Sequence, residues 1–141
     1  MYTLSIIFDK ENKNVLMKKS EDLTKYDFIR GKVHDLEDTL AASRRNLRLE
    51  LGEIAEDINL KFVRQESVTT VQPRGFNTWS SFITCGILES DASIDTVRYE
   101  WIPIGRALNM WLQIKEDGNN IPCIIEACTL LGIEVELNCL A

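Results

Sequence analysis

Apolar residues come in short blocks along this chain, and the spacing inside each block predicts the element it forms. Tyr2 to Phe8 is apolar and β-branched, Asp9 to Asn14 is polar, and Val15-Leu16-Met17 is apolar again. That pattern predicts two strands joined as a hairpin. A charged loop, Lys18 to Lys25, leads into the extended stretch Tyr26-Asp27-Phe28-Ile29 and then Arg30-Gly31-Lys32-Val33. A helix follows. Leu40, Leu47 and Leu51 share one stripe of a helical wheel, Asp38 or Thr39 is placed to cap the first turn, and Gly52 stands where a helix stops. The same wheel sets Ala42, Arg45, Asn46 and Leu49 on roughly the opposite side, with Glu50 between the two.

Beyond a connector from Ile54 to Asn59 with room for a helical turn, the period changes to two. Leu60 to Thr70 predicts a strand, Gln72-Pro73-Arg74-Gly75 a turn, and Phe76 to Leu88 the longest strand. Alternation puts Trp79, Ser81, Ile83, Cys85 and Ile87 of that strand on one face. After an acidic loop, Glu89 to Asp95, the stretch Val97 to Ile102 predicts a last strand that Pro103 ends. Arg106 to Ile114 predicts an amphipathic helix, Asp117-Gly118-Asn119-Asn120 a break, and Ile121 to Leu131 a second helix that stops at Gly132. No repeat or low-complexity segment interrupts the order. It predicts a single mixed α/β domain over residues 1–141, without regular βαβ alternation.

Composition narrows the function classes. A chain of 141 residues with 45% hydrophobic and 27% charged residues is one globular domain's worth, long enough to bury a core. The net charge of −6 excludes a general nucleic-acid surface, which needs a clustered basic face, so no duplex partner is expected. Lys18-Lys19 and Arg44-Arg45 are basic pairs with acidic neighbours, suited to one small anion. No apolar run approaches membrane-spanning length, and the first strand lacks a basic leader and a small-residue cleavage site. Cys85, Cys123, Cys128 and Cys139 form no CxxC pair, and His34 is the single histidine, so a zinc site is not expected. Scattered thiols of this kind suit a reducing cytoplasm. Ser80-Ser81, His34 and the cysteines have no spacing that assembles a nucleophile and its base.

Gly31 to Gly52, GKVHDLEDTLAASRRNLRLELG, carries a more specific pattern. It resembles the box of the Nudix hydrolases, G-x5-E-x7-R-E-U-x-E-E-x-G-U, where U is bulky and aliphatic. Gly31 matches the first glycine, Glu37 the first glutamate, Arg45 the arginine, Leu47 the aliphatic position, Glu50 the last glutamate and Gly52 the final glycine, with no insertion. The flanks Phe28-Ile29-Arg30-Gly31-Lys32-Val33, Asn14-Val15-Leu16-Met17-Lys18-Lys19 and Tyr99-Glu100-Trp101-Ile102-Pro103-Ile104 are similar to the family's approach to the box, second strand and late strand. The resemblance covers nearly the whole chain. It implies an α/β/α sandwich with a mixed sheet, and a substrate that is a nucleoside diphosphate linked to another moiety.

The resemblance breaks where the chemistry would sit. In the family the paired glutamates hold divalent cations against a pyrophosphate. Here Asn46 and Leu49 replace two of them and Glu53 stands at the final aliphatic position, leaving Glu50. Magnesium takes hard oxygen ligands, and phosphoryl chemistry relies on it to neutralise the transferring group. The sequence therefore reads as a Nudix-like chain with hydrolysis lost or weakened, binding a nucleotide or nucleoside-diphosphate derivative. The alternatives are an active pyrophosphohydrolase using Mg2+ or Mn2+, and an interaction module that docks a protein or its own copy through Ala42, Arg45 and Leu49.

The resemblance also assigns roles. Glu50 would be the catalytic residue, Gly31 and Glu50 the metal-binding positions, and Glu37 with Arg45 and Gly52 the structural frame, the first two as an ion pair bracing loop against helix. Glu50 reads equally as a metal ligand or as an ordinary helix carboxylate. Asp35, Asp38, Glu53, Glu56 and Asp57 read as a solvated acidic patch before they read as a rebuilt metal cluster. Lys18, Lys19, Arg30 and Arg74 are candidates for ligand phosphates, and Trp79 and Tyr26 for stacking on a base, with Phe28 and Phe82 better explained as core. Leu49, opposite the core stripe, is placed to line a ligand pocket or a partner interface.

Overall fold

The computed structural model describes residues 1–22, 25–90, 94–113 and 120–135. Among the described residues, seven strands form one sheet: β1 (Tyr2–Asp9), β2 (Asn14–Lys19), β3 (Tyr26–Asp27), β4 (Ile29–Lys32), β5 (Lys61–Gln72), β6 (Gly75–Leu88) and β7 (Tyr99–Pro103). Helix α1 (Thr39–Leu51) runs into a 3-10 turn, Gly52–Asp57, while α2 (Ile104–Gln113) and α3 (Asn120–Leu131) follow the last strand. The break expected at 117–119, the tail beyond 135 with Cys139, and the acidic residues 91–93 lie outside the described residues.

β1 is the hub. Six consecutive residues, Thr3 to Phe8, are buried, as a strand covered on both faces must be. One edge pairs with β6 in parallel over its whole length. The other edge is divided: Tyr2 to Ser5 pair antiparallel with β4, and Phe8 pairs antiparallel with Val15 of β2. β2 then swings away to pair with β3 and β7. The sheet is therefore mixed, with the order β3-β2-β1-β6-β5 and β4 and β7 branching from it.

Alternation along the strands builds two cores. Leu4, Ile6 and Phe8 of β1 pack with Ile83 and Cys85 of β6 and with Leu108 and Ile124 of α2 and α3. Ile7, Leu16 and Ile29 pack on the opposite face with Leu47 of α1 and with Ala55 and Ile58 beyond it. The architecture is the expected α/β/α sandwich. β7 begins at Tyr99 rather than at Val97, which is 66% exposed: residues 96–98 form a turn closed by the Tyr99 amide bonding the Asp95 carbonyl at 3.0 Å.

Helix α1 starts as its sequence predicts, with the Asp38 carboxylate accepting from the Ala41 amide at 3.1 Å. Gly52 ends it at φ 76°, the left-handed region that glycine tolerates. The buried face, however, is Ala42, Ser43, Asn46 and Leu47, with Leu40 and Leu51 only partly buried. Ala42 and Asn46 thus face the sheet and not the solvent. Hydrophobic periodicity misplaced them because the sheet meets this helix with hydroxyls as well as carbon. Thr84 Oγ1 donates to Ser43 Oγ at 3.0 Å and lies 3.2 Å from Ser5 Oγ, all three buried. Satisfied polar side chains can occupy a core that a hydrophobic wheel assigns to leucine alone.

Candidate functional site

The loop between β4 and α1 is braced from both ends. Arg45 in mid-helix reaches back to Glu37, Nε to Oε2 and Nη2 to Oε1, each at 2.9 Å. This is the two-pronged pairing that a planar guanidinium makes with a carboxylate. Arg45 Nη2 also donates to the Lys32 carbonyl at 2.7 Å, and the His34 amide donates to Glu37 Oε1 at 3.0 Å. The Arg45 hydrogen bonds, helped by the His34 amide, hold the Glu37 carboxyl at about 2, against an ordinary value of 4.5. A depressed folded-state value means the stabilisation is fully present above the ordinary carboxylate range and disappears as pH falls towards 2. The difference in urea midpoint between the natural chain and Glu37→Gln is therefore expected to be largest near neutrality and to shrink steadily below pH about 5.

Gly31 lies directly beneath the helix. A Cβ built on it would stand 2.1–2.4 Å from the three amide atoms of Asn46. Asn46 is 5% exposed, and its Nδ2 donates to Thr3 Oγ1 at 2.8 Å and to the Lys32 carbonyl at 3.1 Å. Asn46 thus ties helix, β1 and β4 together. Leu49 is 77% exposed, as the helical wheel expects.

Glu50 projects from the last turn of α1 towards β2 and β7, where Lys18 and Tyr99 are direct cross-strand partners. Lys18 Nζ donates to Glu50 Oε1 at 2.7 Å, and the Tyr99 hydroxyl donates to Oε2 and lies 3.3 Å from the Glu50 carbonyl. Burial raises the carboxyl's proton affinity, but the Lys18 and Tyr99 hydrogen bonds outweigh it and the Glu50 pKa falls below its ordinary value. Burial, with Glu50 beside it, pushes the Tyr99 phenol up. Tyr99 is a site residue that sequence reasoning missed; no motif links it to Glu50, and only the strand register brings them together.

A divalent ion at this helix would need several hard oxygen ligands. Both Glu50 oxygens already accept hydrogen bonds, the Asn46 amide is turned to donate, and Leu49 has no ligand to give. Among the described residues no three His, Cys, Asp or Glu side chains stand together as a metal site. Of the neighbouring carboxylates, Asp38 caps the helix and Glu56 pairs with Arg48. The residues present do not fit magnesium or manganese.

The phosphate candidates separate. Lys18 is with Glu50, on the α1 face of the sheet. Arg30 follows Ile29, which packs against α1, so strand alternation turns it to the other face. Its Nε donates to both Asp27 oxygens at 3.0 and 2.9 Å, and it borders a cleft of about 600 Å³ with Met1, Tyr2, Asn77, Thr78, Ser80 and Ser81. Trp79 sits between two cleft residues on β6, but its side chain lies outside the described residues. Arg74 is exposed in the β5–β6 turn and is not part of that lining. The Ser80-Ser81 pair, which matched no nucleophile pattern, contributes to the cleft wall.

No protein-family model and no curated protein sequence matches the chain. Solved structures do. The dihydroneopterin triphosphate pyrophosphohydrolase of E. coli superposes with a TM-score of 0.68 at 19% identity, over 87% of this chain and 90% of that one. The Ap4A hydrolase of C. elegans gives 0.67 at 14% identity, over 92% and 96%. The Nudix domain of NrtR from Shewanella oneidensis, solved with ADP ribose, gives 0.61 at 13% identity, over 92% and 86%. The chain has the Nudix fold. No helix among the described residues is long and apolar enough to cross a membrane.

Proposed function

We propose that this protein binds a nucleotide or nucleoside-diphosphate derivative without hydrolysing it, a Nudix-fold binding protein of the cytoplasm. The observation that carries this reading is Glu50: the remaining box carboxylate is held by Lys18 and Tyr99, and Asn46 and Leu49 supply no partner carboxylate. The scaffold around it is intact, and a cleft with one guanidinium and several hydroxyls lies open on the far side of β4. Similar structures solved with ADP ribose, or named for Ap4A and dihydroneopterin triphosphate, supply the first ligands to try. Arg30 on the cleft face and Lys18 on the α1 face are the two cations offered to a ligand phosphate. Among the described residues Cys85, Cys123 and Cys128 are buried and form no disulfide, which agrees with a reducing compartment.

The test combines turnover with thermal stability. Each ligand is incubated with the protein and magnesium or manganese, products are followed by phosphorus NMR, and unfolding is followed with and without ligand. The expected result is no product, together with stabilisation of about 2.7 kcal/mol when ligand stands about a hundredfold above its dissociation constant. Arg30→Ala and Lys18→Met tell which face of the sheet holds the phosphate, the variant that removes the stabilisation marking it. Metal-dependent product formation that disappears in Glu50→Gln would replace this reading with an active pyrophosphohydrolase.

A further inference from the structure

We propose that the Lys18 ammonium is the built-in cation of this site, standing on Glu50 where a divalent ion would have to stand and offering its remaining donors to a ligand phosphate. This rests on the reading of the protein as a binder of nucleoside diphosphates, but half of its test uses no nucleotide. Lys18 and Tyr99 face the last turn of α1 from neighbouring strands, and each holds one oxygen of the same carboxylate. An ion ligating Oε1 at about 2.1 Å through its second lone pair would stand beside the Lys18 ammonium, positive charge against positive charge at short range.

The arrangement suits anion binding. An ammonium carries three protons, and Glu50 accepts one of them. The Lys18 side chain keeps 30% exposure, so an oxyanion arriving from solvent can reach the other donors. Glu50 and Tyr99 act as positioning residues: they fix the ammonium at the helix end. Phosphate is then met by a protein cation that is always in place, and added metal gives no gain.

Two measurements test this. In the first, Mn2+ alone is titrated by paramagnetic resonance into the natural chain, Leu49→Glu, Lys18→Met and the double variant Lys18→Met/Leu49→Glu. Leu49 is exposed, so a glutamate there is sterically free. The natural chain should show no saturable binding, and the double variant should bind Mn2+ at least about tenfold more tightly than Leu49→Glu alone. Saturable binding by the natural chain overturns the proposal. So does equal behaviour of Leu49→Glu with and without Lys18, whether both bind or neither does.

The second measurement titrates inorganic pyrophosphate in the presence of EDTA and then of Mg2+. Affinity should be the same in both, fall by about tenfold or more in Lys18→Met, and be largely kept in Lys18→Arg. Dependence on Mg2+, or indifference to Lys18→Met in a chain whose circular dichroism is unchanged, overturns it. A nucleotide panel that gives no stabilisation leaves the manganese comparison standing, so failure of the ligand reading and failure of the Lys18 assignment are distinguishable.

Discussion

Gly31→Ala is expected to lower the unfolding free energy by about 3 kcal/mol, read from urea denaturation. The methyl group has no free volume to enter, since its carbon would stand within 2.4 Å of Asn46 Cγ, Nδ2 and Oδ1. Either β4 separates from α1 or the Asn46 amide swings away. The second outcome abandons the bonds to Thr3 Oγ1 and the Lys32 carbonyl in a place water does not reach. A double-mutant cycle tells whether Asn46 is the cause. Asn46→Ala alone loses those two bonds; combined with Gly31→Ala it removes the clash, so the pair should cost well below the sum of the single changes. Strict additivity would show that Gly31 acts through something other than Asn46.

Leu47→Ala is expected to cost about 3 kcal/mol, and Leu49→Ala, two residues along the same helix, less than about 0.5 kcal/mol. Leu47 is fully buried among Ile7, Leu16 and Ile29, and truncating it opens a cavity that three strands and a helix hold open. Leu49 is 77% exposed and contributes almost no burial. The contrast separates the two kinds of box position. Leu47 belongs to the frame that the fold requires, whereas nothing structural depends on Leu49. A large loss in Leu49→Ala would instead mean that this face is covered in solution by a partner or by a second copy. The surface for such a partner is smaller than the helical wheel implies, because Ala42 is buried under the helix and only Arg45 and Leu49 of the three proposed docking residues remain accessible.

Gly31, Glu37 and Arg45 were placed by the resemblance; the two-pronged pair the resemblance implies is present, and the close approach of Gly31 to Asn46 is visible only in the fold. Leu47 and Gly52 could be read directly, from an apolar stripe and a helix stop. Asp38 as cap, the Pro73–Arg74 turn and the shared face of Ile83, Cys85 and Ile87 are legible for the same reason. The face that α1 buries was not legible. Its contact with the sheet is made partly by Thr3, Ser5, Ser43, Asn46 and Thr84, and a buried hydroxyl or amide has no signature until its partner is known.

What the sequence determined by itself is the order of elements and the helix with its cap and its stop, because each depends on residue identity over a short span. What only the tertiary structure decided is the state of Glu50 and the separation of Lys18 from Arg30. Lys18 and Tyr99 lie more than eighty positions apart and reach the same carboxylate only through the register of β2 with β7. Arg30 and Ile29 are adjacent and face opposite ways because a strand alternates. Pairing across a sheet is a long-range choice, fixed by the whole fold, and it is this choice that turned a surviving acidic residue into the anchor of an ammonium.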